Sequence, residues 1–276
     1  MSTNLAEKLP IDVKQYDGSK MEMNMDIETI MNNVQTNIER FLPQVKSYPI
    51  NKQKIVLVAG GPSLKSTFED LQKQIKNGAK VVAVNNTHNW LLDRGIKPSA
   101  MVMVDARSTN VRFVQRPIAS CKYMIASQCD PSVFDALEGF NTWVWHAKNG
   151  DGEEIVLDNY YMGYYLPIVG GSTVILRAIW LFRMLGFVSM DVYGFDSCLL
   201  DGKHHAYAQP ENDNSEVQKV ICAGKEFYAS PWMLSQADDF MHFIKKLGEH
   251  FELNVHGNGL ISHIIHEGAG YERVES

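Results

Sequence analysis

The sequence predicts a doubly wound α/β fold: a mostly parallel sheet with helices on both faces, plus an N-terminal helical extension. Three observations predict it. Short apolar runs rich in Val and Ile recur along the chain, too short for helices and suited to strands covered on both faces. Stretches with helical spacing separate them, at the distance that β-α-β crossovers need. Polar residues stand at the carboxyl ends of the runs, where open sheets of this Rossmann-like kind bind ligands.

Composition bounds the rest. The 276 residues suffice for one large domain, read as 51–276, behind an arm and helix at 1–50. Apolar residues at 45% and charged residues at 21% describe a globular chain. A net charge of −6 argues against broad nucleic-acid binding. Cys121, Cys129, Cys198 and Cys222 are scattered without a C-x-x-C pair, which argues against a cysteine-built zinc site and a disulfide framework. No run of 18 apolar residues and no signal-like N-terminus are present, so the expectation is a cytoplasmic protein without a membrane span. A homo-oligomer is compatible with this composition.

Residues 1–24 are polar and aperiodic, which reads as a flexible arm. Asp26 is placed to cap a helix whose stripe is Ile27, Ile30, Met31, Val34, Ile38 and Phe41, ended by Pro43. That helix either packs on the domain or pairs subunits, and packing is the simpler expectation. Ile55 to Ala59 forms the first buried strand. Gly60-Gly61-Pro62-Ser63 turns it into a helix striped by Leu64, Phe68, Leu71 and Ile75 and stopped at Gly78, with Ser63 as N-cap. Free amides at such a helix start suit a phosphate or carboxylate. The loop is neither a Walker A motif nor a full G-x-G-x-x-G fingerprint, so an ordinary structural double glycine remains the alternative.

The second strand, Lys80–Asn85, ends in Asn85-Asn86. An acidic residue there would hold a ribose diol of NAD; Asn weakens that reading, so no NAD is expected. These Asn residues either contact a ligand or cap the helix containing Trp90 to Leu92. The third strand, Ala100–Asp105, ends in a carboxylate for a metal ion, a ribose hydroxyl or a helix cap. Strands Tyr123–Ser127 and Thr142–His146 follow, separated by a short helix with Val133, Phe134 and Leu137. His146 reads as a packing or hydrogen-bonding residue. Residues 148–166 read as a loop whose Tyr160, Tyr161, Tyr164 and Tyr165 either form a partial lid or cover the core.

Gly170-Gly171-Ser172-Thr173 opens a second glycine-marked helix and a second anion site, with Val174, Ile175, Ala178, Leu181, Phe182 and Leu185 buried. Strand Met190–Asp196 places another carboxylate at a strand end. His204-His205, with Asp196 and Tyr207 close in sequence, offers a general base or metal ligand. Adjacent residues on an extended segment point opposite ways, so one of the two is expected to face the crevice. A helix from Pro231 to about Glu249 and a strand Leu253–His256 complete the domain; His263 and His266 read as packing residues.

Taken in order, VAGGPSL (58–64), VVAVN (81–85), GIKPSAMVMVD (95–105), GGSTV (170–174) and LGFVSMDVYGFD (185–196) resemble the 6-hydroxymethylpterin diphosphokinase MptE-like family, which includes the central domain of Maf flagellin glycosyltransferases. The resemblance runs from about 52 to 257. A more distant similarity is to bacterial sialyltransferases that use CMP-sugars. The resemblance implies a nucleotide held by Gly60, Gly61, Ser63, Asn85 and Ser172, with Pro62, Asn86, Asp105, Gly171 and Thr173 beside them. It opens two activities. A glycosyltransferase, the favoured one, would use a nucleotide sugar and a hydroxyl-bearing acceptor, with Asp196, His204 and His205 as candidate catalytic residues. A diphosphokinase would bind ATP with Mg²⁺ on Asp105 and Asp196. A third reading is a nucleotide-binding module without turnover. The bacterial sialyltransferases place their catalytic His after an Asn-Asp-rich segment, whereas here the His pair precedes Asn212-Asp213-Asn214.

Overall fold

The computed structural model describes residues 25–150, 153–209, 215–247 and 251–274. The predicted arm, Asn212-Asp213-Asn214 and the helix end at Glu249 lie outside the described residues. The main sheet has eight strands: β1 (Asn51–Val58), β2 (Lys80–Val84), β3 (Ala100–Met103), β4 (Lys122–Ala126), β5 (Thr142–Ala147), β6 (Pro167–Ile168), β7 (Phe187–Tyr193) and β10 (Glu252–His256). Their order is β10-β7-β1-β2-β3-β4-β5-β6, and every pairing is parallel. The direction of winding reverses between β1 and β7, so the crevice of this doubly wound sheet opens at their carboxyl ends.

Alternation along β1 shows why both faces are apolar. Ile55 and Leu57 enter the larger core, with α6 (Val174–Met184) and α7 (Pro231–Ile244). Val56 and Val58 enter a second core with Leu71 of α2 (Phe68–Lys76) and Leu91 of α3 (Thr87–Leu92). Gly186 ends α6 with φ 90° and Gly78 follows α2 with φ 89°, as their spacing predicts.

Helix α1 (Ile27–Ile38) is capped by Asp26, whose carboxylate accepts the Thr29 N–H at 2.8 Å. It packs on the domain. Asn37 Nδ2 donates to the carbonyls of Ser127 at 2.9 Å and Cys129 at 2.7 Å, and Asn33 Nδ2 donates to Gln128 O at 3.1 Å. Phe41 departs from the predicted stripe: the helix ends at Ile38, and Phe41 adopts φ 54° and is 84% exposed.

Two further departures are instructive. The segment read as a loop at 148–166 contains α5 (Glu153–Tyr161), which follows the short α4 (Pro131–Asp135) in chain order. Few α5 residues are buried, Leu157 among them, so no apolar stripe announced it. A second, antiparallel sheet of β8 (Gln218–Cys222), β9 (Lys225–Ala229) and β11 (Tyr271–Arg273) was not anticipated. Its hairpin turns at Ala223-Gly224, both with positive φ, the signature of a two-residue turn between alternating strands. Helix α8 (Leu260–Glu267) packs beside it, with His263 Nε2 on Cys222 O at 3.1 Å and His266 Nδ1 on Ser262 O at 2.8 Å. Both histidines are packing residues, as the sequence suggests. Among the described residues no helix is long and apolar enough to cross a membrane.

Candidate functional site

At the carboxyl ends of β1, β2, β3 and β7 the loops enclose a cleft of about 870 Å³. Gly60, Gly61, Asn85, Asp105, Gly171, Ser172, Thr173, Asp196, His204 and His205 all line it. Pro62, Ser63 and Asn86 do not. Ser63 lies behind Asp196, and Asn86 Oδ1 instead accepts Asn89 Nδ2 at 3.1 Å.

The glycine loop has a different chemistry from the one its sequence suggests. The turn after Gly61 is a short 3₁₀ segment, Pro62–Leu64, and α2 begins only at Phe68. Ser63 is no N-cap. Its own N–H donates to Asp196 Oδ2 at 2.9 Å, and Gly61 N–H donates to Gly194 O at 2.7 Å. The chain's own acceptors therefore consume amides that looked ready for an anion. Gly61 is glycine because a Cβ there would collide with Asp196 Oδ2 and the Gly194 carbonyl.

Asp196 lines the cleft yet is 3% exposed. Gly257 and Gly259 pack against its Oδ1 side. Burial pushes its carboxyl up to about 6, against hydrogen bonding from Ser63 that pulls it down.

At the second glycine-marked turn, Ser172 N–H donates to Asp239 Oδ2 at 2.8 Å, and Gly171 leaves room for that carboxylate. The first amides of α6 have no acceptor within the helix. Thr173, Val174 and Ile175 carry them along the cleft wall. Arg177, 5% exposed, fixes this turn from below. Its guanidinium donates to the carbonyls of Gly171 at 2.9 Å, Lys148 at 2.9 Å and Ile168 at 2.6 Å, and to Asn149 Oδ1 at 2.8 Å.

Among the described residues, two buried polar atoms of the cleft lack a hydrogen-bond partner: Asn85 Oδ1 and Ser172 Oγ. Asn85 also adopts φ 48° at the end of β2, a backbone region that non-glycine residues rarely occupy and that concentrates at ligand sites. The helix that follows has Asn86 at its N-cap and no side-chain cap bond, and the Thr87 hydroxyl ties the end of β2 to β1, accepting Val84 N–H at 2.9 Å and donating to Val58 O at 2.8 Å. Asn85 is thereby left for the cleft.

Both His204 and His205 face the cleft, which corrects the expectation of one. The bend at 204–207 aims both rings toward Trp232, each with its centroid 6.4 Å away. Ala206 N–H donates to Gly60 O at 2.9 Å, which docks the histidine segment on the glycine loop.

Asp105 is turned onto Arg107, whose Nε donates to both carboxylate oxygens at 3.0 Å. Among the described residues no group of three or more His, Cys, Asp or Glu converges as a metal site. With the Asp105 oxygens on Arg107 and those of Asp196 enclosed by Ser63, Gly257 and Gly259, this donor set does not fit the magnesium ion expected on the two carboxylates.

His146 lies away from the cleft. Burial holds its ring down at about 4, so it is neutral; Nδ1 meets Ser127 Oγ at 3.0 Å, and Tyr161 and Tyr165 pack on it. None of Tyr160, Tyr161, Tyr164 and Tyr165 lines the cleft, so they form no lid over it. The sequence reading missed Arg107, Gln128, Asn149, Arg177, Trp232 and Gln236 in the cleft wall. Arg107, Gln128 and Asn149 each follow a strand, so the strand-end rule could have found them. Arg177 had a different signal, a charge set among the apolar residues of α6.

A model of the 6-hydroxymethylpterin diphosphokinase MptE-like family matches residues 28–202. The structure of MAf glycosyltransferase from Magnetospirillum magneticum AMB-1 is similar in fold, with TM-score 0.59 and 14% identity over 86% of this chain and 41% of that one. The chain therefore spans well under half of that protein. A mammalian sialyltransferase solved in complex with Gal-beta-1-3GalNAc-ortho-nitrophenol aligns over 86% of this chain and 88% of its own, at 13% identity and TM-score 0.43, too weak to carry an argument. No curated protein matches the chain significantly.

Proposed function

The chain belongs to the 6-hydroxymethylpterin diphosphokinase MptE-like family, and from that premise we propose that it is a glycosyltransferase using a nucleotide-sugar donor. One observation carries the reading. Asn85 Oδ1 and Ser172 Oγ are buried on residues of one cleft and have no partner among the described residues, and buried polar atoms are nearly always paired. A ligand whose hydroxyls donate to Asn85 Oδ1, and whose phosphate or hydroxyl oxygens accept from Ser172 Oγ, would complete them. The rest of the lining is of the same kind: Gln128, Asn149, Gln209 and Gln236 are neutral hydrogen-bonding groups, and Tyr207 and Trp232 add flat apolar faces. The poor fit of Asp105 and Asp196 to magnesium ranks sugar transfer above diphosphoryl transfer from ATP.

In this mechanism Asn85, Ser172, Thr173 and the first amides of α6 hold the nucleotide. His204 or His205 accepts the proton of the acceptor hydroxyl. The acceptor oxygen bonds to the anomeric carbon as the bond from that carbon to the donor phosphate oxygen breaks. The electron pair leaves with the nucleoside phosphate, where the positive end of α6 stabilises it. Asp196 acts through Ser63, as a positioning residue for the Gly60-Gly61 loop.

The test is incubation with CMP-, UDP- and GDP-sugars and with ATP, with and without Mg²⁺. Slow hydrolysis of one nucleotide sugar, lowered at least about tenfold in His204→Ala or His205→Ala, is the expected result. Thermal stabilisation by nucleotides without turnover of any donor would leave a binding module, and AMP release from ATP with a pterin alcohol would establish the diphosphokinase.

A further inference from the structure

At the opposite end of the sheet from the cleft, a second cavity of about 450 Å³ opens under the strand starts. Its inner wall is apolar. Ile55 of β1, Val82 of β2, Met124 of β4 and Phe182 of α6 face it, each at most 5% exposed. Two features leave the space unfilled. Ala100 of β3 stands in register beside Val82 and Lys122, and offers one methyl group where they offer longer side chains. Helix α6, which covers this face, stops at Met184, and Gly186 turns the chain with φ 90°. Tyr48 forms part of the outer wall and is 51% exposed, so the mouth meets solvent. Among the described residues, the charged groups of the lining are Lys80 and Lys122, both basic, on either side of β3. Lys122 Nζ lies 4.2 Å from the centre of the Trp143 ring, which also lines the cavity. Lys80 is exposed and finds no acidic partner among the described residues. An apolar recess with two cations at its rim, in a chain of net charge −6, has the chemistry that receives an amphiphile with a negative head.

We propose that this cavity binds a free medium-chain fatty acid, with the alkyl chain against Ile55, Val82 and Met124 and the carboxylate at the mouth beside Lys80 and Lys122. The space holds roughly fifteen water-sized groups at about 30 Å³ each, which accommodates the approximately twelve non-hydrogen atoms of decanoate. Burial of the chain supplies the affinity, about fourfold for each methylene taken from water. The lysines select the sign of the head. Each carries a compact charge on a flexible stem, which a carboxylate meets without a fixed geometry. A free acid fits better than a bilayer surface because the apolar residues line a recess, whereas insertion into lipid needs them to project. The site stands apart from the cleft, and neither the nucleotide nor sugar transfer is needed for it.

Calorimetric titration of the full chain with hexanoate, octanoate and decanoate, each below its micelle concentration, tests this. The expected result is a single site per chain, tightened about tenfold or more with each added pair of methylenes. Decanol binds more weakly than decanoate, and decyltrimethylammonium does not compete with it. Lys80→Gln combined with Lys122→Gln weakens decanoate about fivefold to tenfold and leaves decanol within about twofold of wild type. Ala100→Val, which fills the recess, weakens both by about tenfold. Circular dichroism confirms folding of each variant, and the lysine variant carries the test if Ala100→Val does not fold. Equal binding of decanoate and decyltrimethylammonium, unchanged decanoate affinity in the lysine variant, or affinity independent of chain length would overturn the proposal. So would a wild-type chain that does not bind decanoate, whether sedimentation then shows a second copy covering the cavity or flotation shows the protein held on vesicles of anionic phospholipid.

Discussion

Asp196→Asn is the most informative single change, because the two roles open to this residue predict opposite outcomes. The carboxylate is buried, accepts Ser63 N–H at 2.9 Å and sits at about 6 instead of the ordinary 3.8 because burial disfavours its charge. A carboxyl raised in this way binds its proton more tightly in the folded chain. Its contribution to stability is fully present below pH 3.8 and is lost as pH rises through about 6. The displacement corresponds to about 3 kcal/mol of destabilisation at pH 8, where the group is charged. Asparagine carries no such charge. Its amide oxygen still accepts from Ser63, as the protonated carboxyl does, and the loss of about 3 kcal/mol already includes the Ser63 bond to the charged form. The variant should therefore exceed wild type by about 1 kcal/mol at pH 4.5, where the unfolded chain alone is largely ionised, and by about 3 kcal/mol at pH 8. Urea unfolding of both proteins at pH 4.5, 6 and 8 measures this directly. Parallel stability over that range, or a less stable variant at pH 8, would refute the reasoning. Turnover supplies the second readout. A positioning residue that keeps its acceptor oxygen costs less than about tenfold in rate, whereas loss of a general base costs about 100-fold or more.

Other perturbations test the surrounding framework. Gly61→Ala drives a methyl into Asp196 and the Gly194 carbonyl, neither of which is a flexible side-chain end; thermal unfolding should show a loss of at least about 2 kcal/mol. His146, held at about 4 by burial, contributes stability that is present above pH 6.5 and lost as pH falls through about 4. His146→Gln should remove up to about 3 kcal/mol of that acid sensitivity, seen as a flatter melting temperature between pH 6.5 and 4, and leave nucleotide affinity unchanged. Asn37→Ala strands the carbonyls of Ser127 and Cys129 and should cost about 2–4 kcal/mol in chemical unfolding.

The sheet was legible because parallel strands buried on both faces leave a plain mark. The short apolar runs at 55–58, 81–84 and 100–103 lie where β1, β2 and β3 form, and the strand-end rule carried Asn85, Asp105 and Asp196 to one cleft. What was illegible depends on partners distant in sequence. Nothing near Ser63 tells that Asp196 takes its amide, or near Ser172 that Asp239 does, so both loops looked emptier than they are. Asn86 looked equivalent to Asn85, and only the turn of the backbone between them sends one to the cleft and the other to Asn89. The β8–β9 hairpin alternates its burial, but that pattern was overshadowed by longer apolar runs elsewhere.

The seat of α1 also bears on how the chain can be shortened. Ala106 packs beside Ile30, Val34 and Ile38, and the asparagines of the same helix serve carbonyls beyond β4. Trimming the protein back to Asn51 would strip Met25 and Ile30 from the cleft wall and leave those oxygens facing water without their donors. Met25 both lines the cleft and packs against this helix, so a shortened chain that keeps these described contacts starts at or before Met25.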